Sequence, residues 1–260
     1  LLSAAGEFIE ESSAGLPALT RFPPTREALL DYHVIIFGDV DPGDPLLGPD
    51  NDQALANIKA FVESGGGFLM QAGNLYSPQE YEGTAIAEIL PVLIGDAEVE
   101  KGNMIRPSEP FRPVLTRPRD PHEIVSLESD AERNAELWQE EGGLKALTWY
   151  YPVAKARTTA DVLLTHPWSG NVHGPHVLLA TMYHPQGRTA FLSTDETWRW
   201  RFFYGETYRE PFWRGLIRFL ALNRLRRSDY GFDLSTDRSA YDIGDRVLIT
   251  ARIADPKTLD

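Results

Sequence analysis

The chain has 260 residues, 42% of them hydrophobic, so it is long and apolar enough to bury a full core. Its 38 acidic against 25 basic residues give a formal net charge of −13, which opposes binding to nucleic acid or to anionic lipid headgroups. No apolar run approaches the roughly 18 to 20 residues that cross a bilayer, so we expect no direct membrane insertion. The chain contains no cysteine, which excludes disulfides, thiolate metal sites and thiol catalysis.

The first predicted elements are a strand, a helix and a second strand. A continuous apolar run at residues 34–37, closed by Gly38, predicts a strand that is covered on both faces of a parallel sheet. The helix that follows can be capped by Asp50 or Asn51 and ended by Gly65. Residues 68–71 form the next strand, and this order predicts a right-handed parallel crossover.

The later patterns extend the same architecture. Prolines recur between residues 95 and 121 and predict a long surface excursion. A hairpin turn at Pro185 and Gln186 joins two of the later strands. Together these patterns predict an α/β fold, a flavodoxin-like open, mostly parallel sheet with helices on both faces. The remaining predicted helices cover residues 84–90, 130–138 and 211–225, and the remaining strands cover residues 161–165, 176–183 and 188–194.

The pattern changes after residue 228, where apolar and polar residues begin to alternate. Val247, Ile249, Ala251 and Ile253 share one face, which is typical of the opening strands of an Ig-like β-sandwich. We therefore predict an α/β domain over residues 1–228 and the start of a truncated β-sandwich over residues 229–260. We expect the chain to be a piece of a longer protein. Because two strands cannot bury a sandwich core alone, we expect them to pack on the main domain, to pair with a neighbouring molecule or to be mobile.

Four segments carry a resemblance to a known superfamily: DYHVIIFGDV, AFVESGGGFLMQAGN, GRTAFLSTDETWRWRFF and PFWRGLIRFL. In this order they resemble the class I glutamine-amidotransferase-like superfamily over residues 29–225. More closely, they resemble the version embedded in large bacterial membrane-anchored proteins, beside von Willebrand factor A or β domains. This resemblance implies a location outside the cytoplasm, on the periplasmic side. It also implies partners among the other domains of the same protein or among envelope proteins.

The resemblance also shows which catalytic groups are absent. Enzymes of the superfamily place a nucleophilic cysteine at the turn after the second strand, activated by a histidine and an acidic residue near a later strand. Here that turn is Gln71-Ala72-Gly73-Asn74, which carries no nucleophile. Residues 193–196 end the later strand without a histidine. We therefore assign no catalytic residue and no cofactor, and we expect no glutamine hydrolysis by the usual route.

Polar residues follow several of the predicted strands. In an open parallel sheet, ligands bind beyond the carboxyl ends of the strands. Carboxylate and amide oxygens suit a small ligand or a divalent cation, whereas the alternative is that these side chains only cap loops and helices. The candidate binding residues at this edge are Asp39, Asp41, Gly73, Asn74, Tyr76, His166, Asp195, Glu196 and Trp198.

Three further features allow more than one interpretation. Ser77 could act as a hydrolase nucleophile, but it lacks the G-x-S-x-G context. His173, His176 and His184 could hold a metal, but they fit no standard ligand pattern, and exposed hairpin histidines are the favoured interpretation. The aromatic and cationic residues at 198–204 could form a stacking platform for a sugar or a partner protein, or a core corner beneath the last helix.

Three functions remain open on these grounds. The first is a catalytically inactive amidotransferase-like domain that serves as a binding or scaffold module of an envelope-associated protein. The second is an enzyme with cysteine-free chemistry, in which Asp39, His166, Asp195 and Glu196 would have to reach one open cavity. The third is a carbohydrate-binding module, which needs an exposed indole face.

Overall fold

A computed structural model of the chain describes residues 22–95, 109–228, 232–236 and 249–253. Its helices are α1 Arg26–Leu29, α2 Asn51–Glu63, α3 Ala85–Ile89, α4 Ala131–Gln139, α5 Trp198–Tyr204 and α6 Arg209–Ser228. Its strands are β1 Val34–Phe37, β2 Gly67–Gln71, β3 Val92–Leu93, β4 Val114–Leu115, β5 Lys155–Ala156, β6 Ala160–Asn171, β7 Gly174–His184, β8 Gly187–Leu192, β9 Phe232–Thr236 and β10 Ile249–Ile253. Within these residues, no helix has the length and apolar character that a bilayer crossing requires.

The main sheet has six strands in the order β1-β2-β8-β7-β6-β4. The β1-β2 and β2-β8 pairs are parallel, whereas the β8-β7, β7-β6 and β6-β4 pairs are antiparallel. The predicted α/β class is therefore confirmed, with a mixed sheet whose parallel part holds the ends of β1, β2 and β8 at one edge. The predicted hairpin is also confirmed, because His184 pairs with Gly187 across Pro185 and Gln186.

Helices cover both faces of this sheet, and each face has its own apolar core. α1, α2 and α3 lie on one face, where Phe37, Phe61 and Phe68 are buried. α4, α5 and α6 lie on the other face, where Trp138 and Phe219 are buried. Burial of one such side chain stabilises the folded chain by roughly 1.5 to 3 kcal/mol. The two cores agree with the prediction that helices cover both faces of the sheet.

The crossover from β1 to β2 follows the local signals in the sequence. The Asp50 carboxylate caps α2 by accepting a hydrogen bond of 3.0 Å from the backbone amide of Gln53. Gly65 follows the helix with a φ of 104°, in the left-handed region that favours glycine. β2 then begins at Gly67, where an added Cβ atom would lie 2.6 Å from the backbone oxygen of Leu220.

Two parts of the fold differ from the sequence-based expectations or extend them. β6 continues six residues past the predicted end at residue 165, because it forms a long irregular hairpin with β7. The proline-rich excursion includes residues 96–108, which lie outside the described residues, and the short strand β4. β9 and β10 form an antiparallel pair, while Val247 lies outside the described residues. The β-sandwich stays a prediction.

Candidate functional site

The Asp39 carboxylate occupies the turn that follows β2. Its Oδ1 accepts hydrogen bonds from the backbone amides of Tyr76 at 2.7 Å and Ser77 at 3.0 Å, and its Oδ2 accepts one from Leu75 at 2.8 Å. Hydrogen bonds from backbone amides to a carboxylate are charge-assisted and stronger than neutral ones. The turn that would display a nucleophile in a catalytic relative is therefore bound by an acidic side chain of the chain itself.

Gly73 is the residue that allows Asp39 to approach this turn. A Cβ atom at position 73 would lie 2.2 Å from both the Cβ and the Cγ of Asp39, a distance that real atoms do not adopt. The preceding Ala72 is buried, and the Ser77 hydroxyl donates a hydrogen bond of 2.7 Å to the backbone oxygen of Gly38. Ser77 is fully buried, so the arrangement gives no support to a serine nucleophile.

The neighbouring candidates Asp41, Asn74 and Tyr76 do not form a shared ligand cluster. Asp41 accepts a hydrogen bond of 2.7 Å from the backbone amide of Gly43, which is a local turn contact. Asn74 is exposed, and Tyr76 is half-buried with its backbone amide on Asp39. These contacts fit the alternative interpretation in which the polar residues shape loops.

Glu196 is buried and anchors the segment that precedes α5. Its Oε1 accepts hydrogen bonds from the Thr148 hydroxyl at 2.6 Å and from the Arg199 guanidinium at 2.8 Å. Its Oε2 accepts hydrogen bonds from the backbone amides of Thr148 and Trp149. With 5% of its surface exposed and its carboxylate fully bonded, Glu196 is placed to hold two segments together.

Asp195 is the more accessible of the two adjacent carboxylates. The residue is exposed, and its Oδ1 accepts a hydrogen bond of 3.1 Å from the indole of Trp149. The pKa of Asp195 is raised above its usual value, mainly because the carboxyl group has lost part of its solvent. The Trp149 hydrogen bond lowers this pKa, and the negative charge of Glu196 raises it. The charge of Asp39 adds to the rise, so the two strand-end aspartates lie within electrostatic reach.

His166 lies inside β6 rather than after a strand, and this corrects the predicted position. It is 2% exposed, and its Nδ1 accepts hydrogen bonds from the backbone amides of Trp168 at 3.3 Å and Ser169 at 2.9 Å. Its ring lies 4.2 Å from that of Phe111 and 4.7 Å from that of Tyr150, measured between ring centres. Burial, followed by the charge of His176, lowers the pKa of His166 to about 4, so the ring is neutral at physiological pH.

Of the three other candidate histidines, His184 lies at the far end of β7 from His173 and His176. His176 and His184 lie eight residues apart on this strand, which corresponds to roughly 26 Å at the usual strand rise. His176 is buried beside the Tyr150 hydroxyl, at 2.7 Å from its Nδ1, whereas His173 is exposed. Among the described residues, no three acidic or histidine side chains are close enough to share a metal ion.

The aromatic segment of α5 is divided between the core and the surface. Trp200 is 2% exposed and packs edge to face against Trp138 at 5.6 Å and Phe212 at 5.3 Å between ring centres. Trp198, in contrast, is 57% exposed. Trp200 agrees with the core-corner interpretation, whereas the stacking platform at Trp198 stays a prediction.

The strand-end candidates do not meet the condition set for an enzyme with substituted chemistry. His166 and Glu196 are covered by neighbouring side chains, and the Asp39 carboxylate is bonded to three amides. The sequence interpretation missed Thr148 and Trp149, which supply most of the partners of Glu196 and Asp195. The aromatic run at residues 149–151 was the available signal, because such a run indicates a segment packed beside the sheet.

Comparisons with known proteins agree on the fold and leave the function open. The chain matches no protein-family model and no curated protein. It is similar to a cytoplasmic protein of Salmonella typhimurium, with 25% identity and a TM-score of 0.58 over 78% of this chain and 77% of that chain. A second cytoplasmic protein, from Salmonella typhimurium LT2, has 23% identity and a TM-score of 0.57 over 77% of each chain.

A ThuA-like protein from Bacteroides uniformis is a more distant neighbour. It has 14% identity and a TM-score of 0.43 over 75% of this chain and 72% of that chain. Its TM-score is below 0.5, so this likeness decides nothing about the superfamily of the chain. The likeness is too low to support a functional argument.

The neighbours also correct the predicted location. The resemblance implied a place outside the cytoplasm, on the periplasmic side of a membrane-anchored protein. Both Salmonella proteins share the fold over about three quarters of the chain, and both are cytoplasmic proteins. The extracytoplasmic prediction is therefore wrong.

Proposed function

We propose that the chain is a catalytically inactive domain of the glutamine-amidotransferase-like fold that binds a protein partner beside the carboxyl ends of its sheet. The observation that carries the proposal is the position of the Asp39 carboxylate on three backbone amides of the turn after β2. An oxyanion bound at this turn would meet a negative charge and would find those amides already engaged. The missing nucleophile at Ala72 and Gly73 points the same way.

The surface available to a partner lies on α5. Three large aromatic side chains are exposed there: Trp198 by 57%, Phe202 by 78% and Phe203 by 47%. We call these three residues the α5 surface. Aromatic side chains are favoured at the centres of protein interfaces, where they bury a large area at a low cost in side-chain entropy. Because the α5 surface follows Asp195 directly, it borders the same edge of the sheet as the Asp39 turn.

A glutaminase assay tests the inactive part of the proposal. The purified chain and the Asp39→Asn variant are incubated with glutamine, and the release of ammonia is measured. We expect no release above the uncatalysed rate from either protein. Activity in the wild-type chain that disappears in an Asp39→Asn or Asp195→Asn variant would overturn the proposal.

A comparative capture experiment tests the binding part. The wild-type chain and a variant with serine at positions 198, 202 and 203 are used as baits in an extract of the source cells, and any retained protein is purified and its affinity measured. We expect the triple variant to lose at least tenfold in affinity, as is typical of an interface centre. The control is Val172→Ser, which removes a side chain that is 90% exposed outside the α5 surface. Equal retention by wild type and triple variant would refute this role of α5.

Carbohydrate binding is a second candidate, and one observation favours it. The Trp198 indole is exposed three residues after the exposed Asp195 carboxylate, which gives a stacking face beside a hydrogen-bond acceptor. We rank it second because Phe202 and Phe203 extend the surface with apolar rings that offer no partners to sugar hydroxyls. Titration with soluble oligosaccharides, followed by tryptophan fluorescence, separates the two. A saturable change that is absent in Trp198→Ala would favour the carbohydrate.

The location of the chain belongs to the same proposal. The two Salmonella neighbours support a cytoplasmic place of action. The partner would then be a cytoplasmic protein or another domain of a longer chain.

A further inference from the structure

A cavity of about 370 Å³ lies between β5 and the irregular hairpin of β6 and β7. Small-molecule sites in proteins usually occupy clefts of roughly 300 to 1,000 Å³, so this cavity is at the small end of that range. We call it the β5 cavity. Its apolar walls are formed mainly by Val153, Ala156, Val162, Pro175 and Val177.

Among the residues that line the β5 cavity, Lys155 is the one with a formal charge, and that charge is positive. Lys155, His173 and His176 line it, together with the neutral Thr116 and Asn171, and no acidic residue is among the lining residues. This composition is unusual for a chain whose formal net charge is −13. Walls of low dielectric constant strengthen the field of a cation that faces such a cavity, so the site favours an anion.

The accessible cation of the β5 cavity, Lys155, has no acidic ion-pair partner in the described part of the chain. Lys155 and His173 are both exposed, and within the described part of the chain neither forms an ion pair with an acidic side chain. A bound anion would therefore not have to compete with an existing ion pair. Arg117 and Asp161, which form an ion pair with each other, are next to the lining residues Thr116 and Val162 in sequence, and this pair does not involve Lys155.

The inner wall of the cavity is held in place by hydrogen bonds. His176 is 7% exposed, and its Nδ1 lies 2.7 Å from the hydroxyl of the fully buried Tyr150. The Asn171 side chain donates a hydrogen bond of 2.9 Å to the backbone oxygen of Ala154, which joins the hairpin to the segment before β5. Side chains that are fixed before binding lose little further entropy when a ligand binds, which favours the complex.

We propose that the β5 cavity binds a small organic anion, a carboxylate with a compact apolar body. The valines and Pro175 contact the body of the ligand, and the carboxylate lies toward the ammonium of Lys155 and the imidazole of His173. The cavity is lined by none of the α5 residues, so this site is separate from the proposed protein interface.

Benzoate is the probe for this inference, and benzamide is its uncharged counterpart of nearly the same shape. Binding is followed by NMR, through the backbone amides of Gly174, His176 and Val177 and the ring protons of the histidines. We expect saturable shifts with benzoate and at least about fivefold weaker binding of benzamide, as for the loss of one partly exposed ion pair. We also expect added salt to weaken benzoate binding, because ions screen the attraction.

Two lysine variants provide the matched comparison. Lys155→Met keeps most of the side chain and removes the charge inside the cavity, whereas Lys145→Met removes the same charge beside Phe203. We expect at least about fivefold weaker benzoate binding for Lys155→Met and wild-type binding for Lys145→Met. The triple α5 variant should also bind benzoate normally, so failure of the interface proposal can be told apart from failure of this one. Absence of saturable shifts, equal binding of benzamide, or equal loss in both lysine variants would overturn the inference.

Discussion

Asp39 and Asp195 follow parallel strands at the same edge of the sheet, yet their surroundings differ. Asp39 accepts three backbone hydrogen bonds from the turn after β2, whereas Asp195 accepts one hydrogen bond from another side chain, the Trp149 indole. Both residues are exposed by surface area. The comparison shows that exposure alone does not make a strand-end carboxylate available to a ligand. Nearby backbone amides can already donate hydrogen bonds to its oxygens.

Gly73 provides the most direct way to break the Asp39 turn. In Gly73→Ala, the new Cβ atom would lie 2.2 Å from Asp39, so the carboxylate or the turn has to move. We expect a loss of about 3 kcal/mol in the free energy of unfolding, measured by urea denaturation. The control is Gly38→Ala, where the added Cβ atom meets nothing within 4 Å, and we expect a change below about 0.5 kcal/mol. Similar losses in the two variants would contradict the close approach of Asp39.

Removal of the Asp39 carboxylate measures how much its hydrogen bonds contribute to the free energy of unfolding. Asp39→Ala leaves three amides of the turn without their acceptor, and we expect a loss of about 2 kcal/mol in the free energy of unfolding. Asp41→Ala is the matched control, since Asp41 accepts one local hydrogen bond from Gly43. Its loss should be about 0.5 kcal/mol. If Asp39→Ala costs no more than the control, the contrast between the strand-end carboxylates fails.

His166 extends the comparison to a buried group, and its effect depends on pH. Its pKa is lowered from 6.5 to about 4 in the folded chain, so between these values the unfolded chain binds a proton that the folded chain does not. This contribution to stability is therefore fully present above pH 6.5 and is lost as the pH falls toward 4. We expect the wild type to lose about 2 kcal/mol more than His166→Asn between pH 6.5 and about pH 4.5.

His166→Asn keeps a side-chain acceptor for the amides of Trp168 and Ser169 while it removes the titrating ring. Chemical denaturation at a series of pH values gives the free energy of unfolding of the wild type and of the variant as a function of pH. Parallel pH profiles for the wild type and the variant would contradict the assignment of a neutral, buried imidazole.

Substitution of Asp195 has the smallest expected effect on the stability of the chain. Its folded pKa lies above the usual 3.8, so folding favours the protonated form and the ionised carboxylate slightly destabilises the chain at neutral pH. Asp195→Asn keeps an acceptor for the Trp149 indole and should stabilise the chain by about 0.3 kcal/mol at pH 7, because the exposed site is screened by solvent. The difference should vanish below pH 3.8, where the folded and unfolded chains are both protonated. Destabilisation at pH 7 would show that Asp195 has a stronger structural contact.

The local features of the fold could be predicted because neighbouring residues determine them. The strand at residues 34–37, the cap at Asp50 and the hairpin turn at Pro185 and Gln186 each depend on a few consecutive residues. The expectation that this strand is covered on both faces is wrong, because β1 lies at the edge of the sheet and Ile36 is 43% exposed. The candidate site was harder to predict. Trp198 and Trp200 belong to the same aromatic run, but one is exposed and the other is buried against Trp138, which lies far away in the sequence.

The sequence by itself determined the alternation of strands and helices, the two-sided sheet and the absence of a thiol at the turn after β2. The tertiary structure decided which polar groups remain free. Asp39 reaches amides that lie 36 to 38 residues further along the chain, and Glu196 bonds to Thr148, 48 residues before it. Periodicity and propensity describe interactions within a few residues, whereas these contacts form only after the sheet has brought its strand ends together.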